Sequence, residues 1–203
     1  ENSERELAVG LAMVVPAPLS QVIDYLASGQ LIAQDASISE FGTAPDEVSS
    51  GALAGPRFTG AERAEAKSFL EASPGTRFNL SLDEIEELRT LRDSTGSSTR
   101  TGAVEQASDA YRRLLDRRLQ AYRQGGLAAI APYARSDGAV RDPSIDLRLA
   151  AVDADRLARH GRELREALLR YPADQPPQMV SHFHWIKRRV QHRPHLSLLH
   201  RIV

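Results

Sequence analysis

The chain has 203 residues, of which 41% are apolar, 26% charged and 5% aromatic, with a formal net charge of −1. That length suits one domain with enough interior to fold without staples, and the absence of cysteine excludes a disulfide framework, thiolate-held metal and a thiol nucleophile. In chain order, residues 1–10 read as a polar, acidic lead-in, and residues 11–15 as a short buried strand stopped by Pro16. This apolar run is far short of the ~20 residues that span a bilayer. Leu19, Val22, Ile23 and Leu26 fall on one helical face, and Gly29 is placed to end that helix. Residues 36–41 read as a second strand and residues 42–57, rich in Gly and Pro, as a loop.

The middle, residues 59–171, reads as helical. Thr59 with Glu62 makes a capping box that opens a helix to about residue 72, closed by Ser73-Pro74-Gly75. Ser81 with Glu84 makes a second box, with Leu80 and Ile85 spaced as its hydrophobic staple. Residues 93–102 have the composition of a flexible loop. A longer helix is predicted over 103–124, with Tyr111, Leu114, Leu115 and Tyr122 on one side and Gly125-Gly126 at its end. Asp142-Pro143 predicts an N-cap and first helical position for a helix over 143–152. A further helix is expected to run to Tyr171, with Gly161 inside it marking close helix packing.

The end changes character. Residues 179–190 and 195–203 alternate and contain Val, Phe, Trp and Ile, separated by Gln191-His192-Arg193-Pro194, which is a hairpin signature. From Gln175 to Val203 there is no acid, and this segment carries +5 against −6 for the rest. The expected fold is α+β: helix-rich, with a small antiparallel sheet formed by the N-terminal strands and the C-terminal hairpin. The hairpin either docks on the first strand or belongs to a chain that is a fragment of something longer; otherwise 1–203 is a single domain. No period of 20–50 residues argues for a solenoid or propeller.

Candidate chemistry concentrates in this hairpin. His182 and His184 share one strand face, and His200 on the neighbouring strand makes a third imidazole for a divalent transition metal; no other cofactor is expected. Lys187, Arg188, Arg189 and Arg193 would attract phosphates of an anionic membrane surface, or serve as the solvated charges of an edge strand. A sequence pI near 6.7 and few aromatic residues do not supply the footprint of a specific nucleic-acid binder. Phe183 and Trp185 on the opposite strand face, with Tyr111 and Tyr122 on the long helix, are the candidates for lining an apolar pocket. There is no phosphate-cradling Gly motif, no G-x-S-x-G and no H-E-x-x-H.

Val14-Val15-Pro16-Ala17-Pro18 followed by Leu19, Val22, Ile23 and Leu26 resembles the opening of START-like, helix-grip proteins. The resemblance covers about 15 residues and implies a curved antiparallel sheet gripping a long helix around an apolar cavity for lipids or polyketides. Residues 59–171 depart from that pattern, reading as helices where the family has strands. The leading expectation is a non-catalytic binding or carrier protein for a hydrophobic small molecule. The alternatives are a metal-binding protein or enzyme using the histidines, and an accessory protein whose hairpin meets a protein partner. The Arg-rich usage, with only Lys67 and Lys187 as lysines, fits a GC-rich bacterial genome, and the lack of an initiator Met leans towards export.

Overall fold

The first apolar stripe folds as its spacing predicts, into helix α1 (Leu19–Ala27), and the chain turns at Gly29 towards strand β1 (Ile38–Thr43). The computed structural model describes residues 14–44, 53, 55–95, 100–190 and 193–202. The Thr59–Glu62 box is present with both reciprocal hydrogen bonds; it opens one tight turn that continues into α2 (Arg63–Leu70). At the second box, Ser81 N–H donates to Glu84 at 2.8 Å and Glu84 N–H donates to Ser81 Oγ at 3.3 Å, starting α3 (Leu82–Thr95). Leu80 and Ile85 are both buried, as a staple requires.

Helix α4 (Arg100–Gly125) begins earlier than predicted and takes residues assigned to a loop; the centre of that loop, 96–99, lies outside the described residues. A two-stranded ribbon that the sequence reading missed follows, β2 (Tyr133–Ala134) with β3 (Val140–Arg141). The Asp142 carboxylate accepts the Ser144 N–H at 2.8 Å and caps α5 (Pro143–Val152) as expected. The helix predicted to reach Tyr171 is two helices, α6 (Asp155–His160) and α7 (Arg162–Arg170). Gly161 sits between them at φ −136°, ψ 42°, so it breaks the helix, and a Cβ there would come within 3.0 Å of Leu157 Cδ1 on α6.

The hairpin is present as β4 (Ser181–Val190) and β5 (Arg193–Ile202), and the sheet order is β1-β4-β5, all antiparallel. The strand predicted over 11–15 is corrected where it is described: Val14 and Val15 lie outside any strand, and Val14 is 97% exposed. Residues 11–13 lie outside the described residues. Pro16 and Pro18 remove ladder donors beside them, and β1, with no proline, is the strand that joins the hairpin.

One face of the sheet packs on α2, α3 and α4, where Phe58, Phe69, Leu88, Leu114 and Trp185 belong to one buried cluster. The rings interlock edge-on, with Phe69 4.8 Å and Phe58 5.7 Å from Tyr111 between centroids. The other face is covered as well. His184 is fully buried, close to Gly29 and Phe41, so β4 is buried on both sides from Phe183 to Lys187. Among the described residues no helix is long and apolar enough to cross a membrane.

Candidate functional site

Strand register decides which side chains meet. Phe183, Trp185, Lys187 and Arg189 pair with His200, Leu198, Leu196 and Pro194 and share the helix-facing side of the ribbon. His184, Ile186, Arg188 and Val190 pair with Leu199, Ser197, His195 and Arg193 on the other side.

Between β5 and α4 lies a cleft with a volume of about 1060 Å³. Its apolar walls include Leu115, Leu119 and Tyr122 of α4, Leu196 and Leu198 of β5, and Leu147 of α5. Ligand pockets commonly run to roughly 300–1,000 Å³, so this one has room for a drug-sized or lipid-like guest. Charges on one wall are matched. The Arg118 guanidinium forks onto Glu84 with contacts of 2.7 and 2.6 Å, and Arg117 reaches Glu87 at 2.5 Å. Glu84 thus caps α3 and anchors α4 with one carboxylate. Burial pushes the Tyr111 phenol up to about 12, so it faces the cleft as a neutral group.

At the opposite end four rings converge. Phe183 stacks on His200 at 4.6 Å, Tyr122 stacks on Tyr171 at 5.1 Å, and the Arg123 guanidinium lies 4.5 Å over Phe183. His200 Nδ1 is hydrogen-bonded to Tyr122 OH at 2.9 Å, and its Nε2 to Ser181 Oγ at 3.0 Å. Hydroxyl, imidazole and a third group in series is the spacing of an activated nucleophile. Its electrostatics are wrong for that task. Burial pushes His200 down to about 4, and burial holds Tyr122 up at about 12, so neither partner supplies the negative charge that would stabilise an imidazolium. The chain of bonds is a neutral polar strip on a greasy wall.

A pH titration follows from this. The His200 ring resonances stay those of a neutral imidazole from pH 8 down to below 6. The folded-state value lies below the ordinary 6.5, so neutral His200 is compatible with full stability above that value. Stability then declines as the pH falls from about 6.5 towards about 4, where the unfolded chain binds the proton first. Titration of the assigned resonance near 6.5 would contradict the burial.

Of the aromatic candidates, Tyr111, Tyr122 and Phe183 do border this one cleft; Trp185 does not. The indole is enclosed instead, in a space that exists because residues 42 and 55 are glycines; a Cβ at either would overlap the ring. The three imidazoles are not brought together. His200 points to the helix side, whereas His184 and, by alternation, His182 point away from it. Among the described residues no group of three His, Asp or Glu side chains is placed to hold a metal. The four cations are also divided between the faces. Lys187 is 2% exposed, and its ammonium donates to Glu62 at 2.7 Å, the Arg57 carbonyl at 2.9 Å and Glu40 at 3.4 Å. Arg188 lies 3.6 Å from Asp35. Only Arg189 and Arg193 are exposed with no carboxylate partner among the described residues, which corrects the four-cation anion site. The reason is that this sheet is covered on both faces, so charges expected in solvent are enclosed. Tyr171, Ser181 and Arg123 complete the ring cluster and are not singled out by the sequence, where Tyr171 is legible only as the end of a predicted helix.

Comparison with protein-family models, with curated proteins and with solved structures finds no match to this chain.

Proposed function

We propose that the protein is a non-catalytic binding or carrier protein for a hydrophobic, lipid-like small molecule seated between β5 and α4. The observation that carries this reading is the cleft of about 1060 Å³, with leucines on three different elements, a neutral hydrogen-bonding strip at one end and arginine–glutamate pairs along another wall. Apolar volume with few polar groups is what a carrier needs, the polar groups fixing orientation. Burial makes His200 a weak base, which favours holding a guest over transforming it.

Native mass spectrometry after gentle purification tests this directly, together with titration by the fluorescent probe 1-anilinonaphthalene-8-sulfonate. A co-purifying mass, or saturable probe binding displaced by a long-chain alcohol, is expected. Leu147 borders the cleft from a half-exposed position on α5, so Leu147→Glu leaves the fold intact. Losing that contact weakens probe binding by about tenfold, the equivalent of one leucine's burial. A reproducibly empty protein with no saturable probe binding would overturn the proposal.

A further inference from the structure

The two edges of the three-stranded sheet are not equivalent. β1 has six residues and an irregular register between Ile38 and Glu40, which blunts it as a template. β5 has ten residues and runs in continuous register along β4. On its other side its main-chain groups make no hydrogen bond to any described residue. Natural proteins guard such an edge with lysines, internal prolines or bulges. Its ends carry Arg193, Pro194 and Arg201, but between them β5 has no such guard and instead presents Leu196, Leu198 and Leu199. The cleft reaches residues on both faces of the strand, from Arg193 to His200, so its open edge and the apolar floor are continuous.

We propose that this edge receives an extended acidic segment of a protein partner as a fourth strand. Main-chain pairing supplies affinity, and alternate side chains of the added strand face the cleft at Leu196 and Leu198. The charge of the ribbon selects the occupant. Residues 175–203 contain no acid, and Lys187 and Arg188 are already committed to Glu62, Glu40 and Asp35. Arg189 and Arg193 are left at the hairpin end, on either side of the turn. A second copy of β5 would bring Arg193 towards another strand that carries arginines and no acid, whereas carboxylates on an incoming segment are attracted. At about 3.3 Å per residue the strand offers roughly eight pairing positions. This goes beyond the small-molecule reading and does not depend on it, because strand addition is read by a different signal from cleft occupancy.

The experiment uses the full chain and a fluorescein-labelled eight-residue peptide of alternating Glu and Val, followed by fluorescence anisotropy. Two controls accompany it: the same peptide with Lys for Glu, and the Glu peptide with alternate amides N-methylated so that it cannot pair. Saturable binding of the Glu peptide is expected, weakened at least tenfold by N-methylation and slowing amide exchange along β5. Arg193→Glu, at an exposed position, weakens it about fivefold, the scale of a rim charge. Equal binding of the methylated or the Lys peptide overturns the proposal, as does no binding. Concentration-dependent dimerisation that protects β5 would assign the edge to a second copy instead. Binding to phosphatidylserine vesicles without binding to the peptide would assign the cations to a membrane. Either result also overturns it.

Discussion

Lys187→Met unfolds with about 3–5 kcal/mol less free energy than the parent chain, the usual cost of leaving one partner of a buried ion pair alone. The three protons of the Lys187 ammonium are all used, on Glu62, Glu40 and the Arg57 carbonyl. Glu62 has a side chain only 9% exposed, and its Oε2 also accepts the Thr59 N–H at 2.9 Å. One carboxylate therefore starts α2 and ties that start to the centre of the sheet. Burial alone would push the Glu62 carboxyl up, but the hydrogen bond from Lys187 and that from Thr59 outweigh it and hold it below its ordinary 4.5. Its contribution is present above pH 4.5 and is lost as the pH falls through the lower folded-state value. The gap between parent and variant consequently narrows on acidification, as the Glu62 carboxyl takes up its proton. Glu62→Gln keeps an amide oxygen for Thr59 while removing the charge, so adding it to Lys187→Met restores most of the loss. Urea denaturation of the two single variants and the double variant measures the coupling. A single-variant cost under about 1 kcal/mol would mean that water reaches Glu62 and that the pair behaves as a surface bridge.

That pair also shows where sequence reading stops. The two capping boxes, Asp142-Pro143 and the alternation of the hairpin are local patterns, and each reappears in the fold with its hydrogen bonds. The placement of Lys187 is not local. Its partner Glu62 is 125 residues away, and nothing near Lys187-Arg188-Arg189 announces that the middle strand is covered on both faces. A charge run on a strand reads as solvated unless the second layer is known. The same gap separates the three histidines: their spacing suggests convergence, while the pairing of Phe183 with His200 sends the third imidazole to the opposite side. An apolar pocket is expected from the aromatic rings, but where it opens is not, for a related reason. Tyr111, Tyr122 and Phe183 were legible as apolar faces, but the volume arises where α4, α5 and β5 fail to close on one another. The two-residue strands β2 and β3 carry no periodicity at all, and Gly161 breaks a helix whose apolar stripe continues on either side.

Gly126→Ala is expected to be the other severely damaging single change, and it acts on the cleft wall through the main chain. Gly126 follows α4 at φ +59°, a left-handed conformation that costs an L-residue about 1–2 kcal/mol. A Cβ there would also overlap the carbonyl oxygen of Tyr171, a main-chain atom with no rotamer to yield. Relieving the overlap pulls residue 171 away from the end of α4, and the Tyr171 ring leaves its stack on Tyr122 and its contact with His200 at 4.5 Å. The total cost is about 3 kcal/mol or more, as backbone strain and lost ring packing add. Gly138 supplies the control, because it has φ +79° with nothing within 4 Å of its Cβ position. Gly138→Ala thus isolates the conformational penalty, and the excess in Gly126→Ala reports the close approach. The site gives a second readout: with Tyr171 withdrawn, His200 is less buried and its value climbs from about 4 back towards 6.5. Thermal denaturation and the His200 titration should move together in the Gly126 variant and neither should move so far in the Gly138 variant. Equal losses in the two would show that Tyr171 is not held against α4, and would remove the physical basis for a rigid ring-lined end to the cleft.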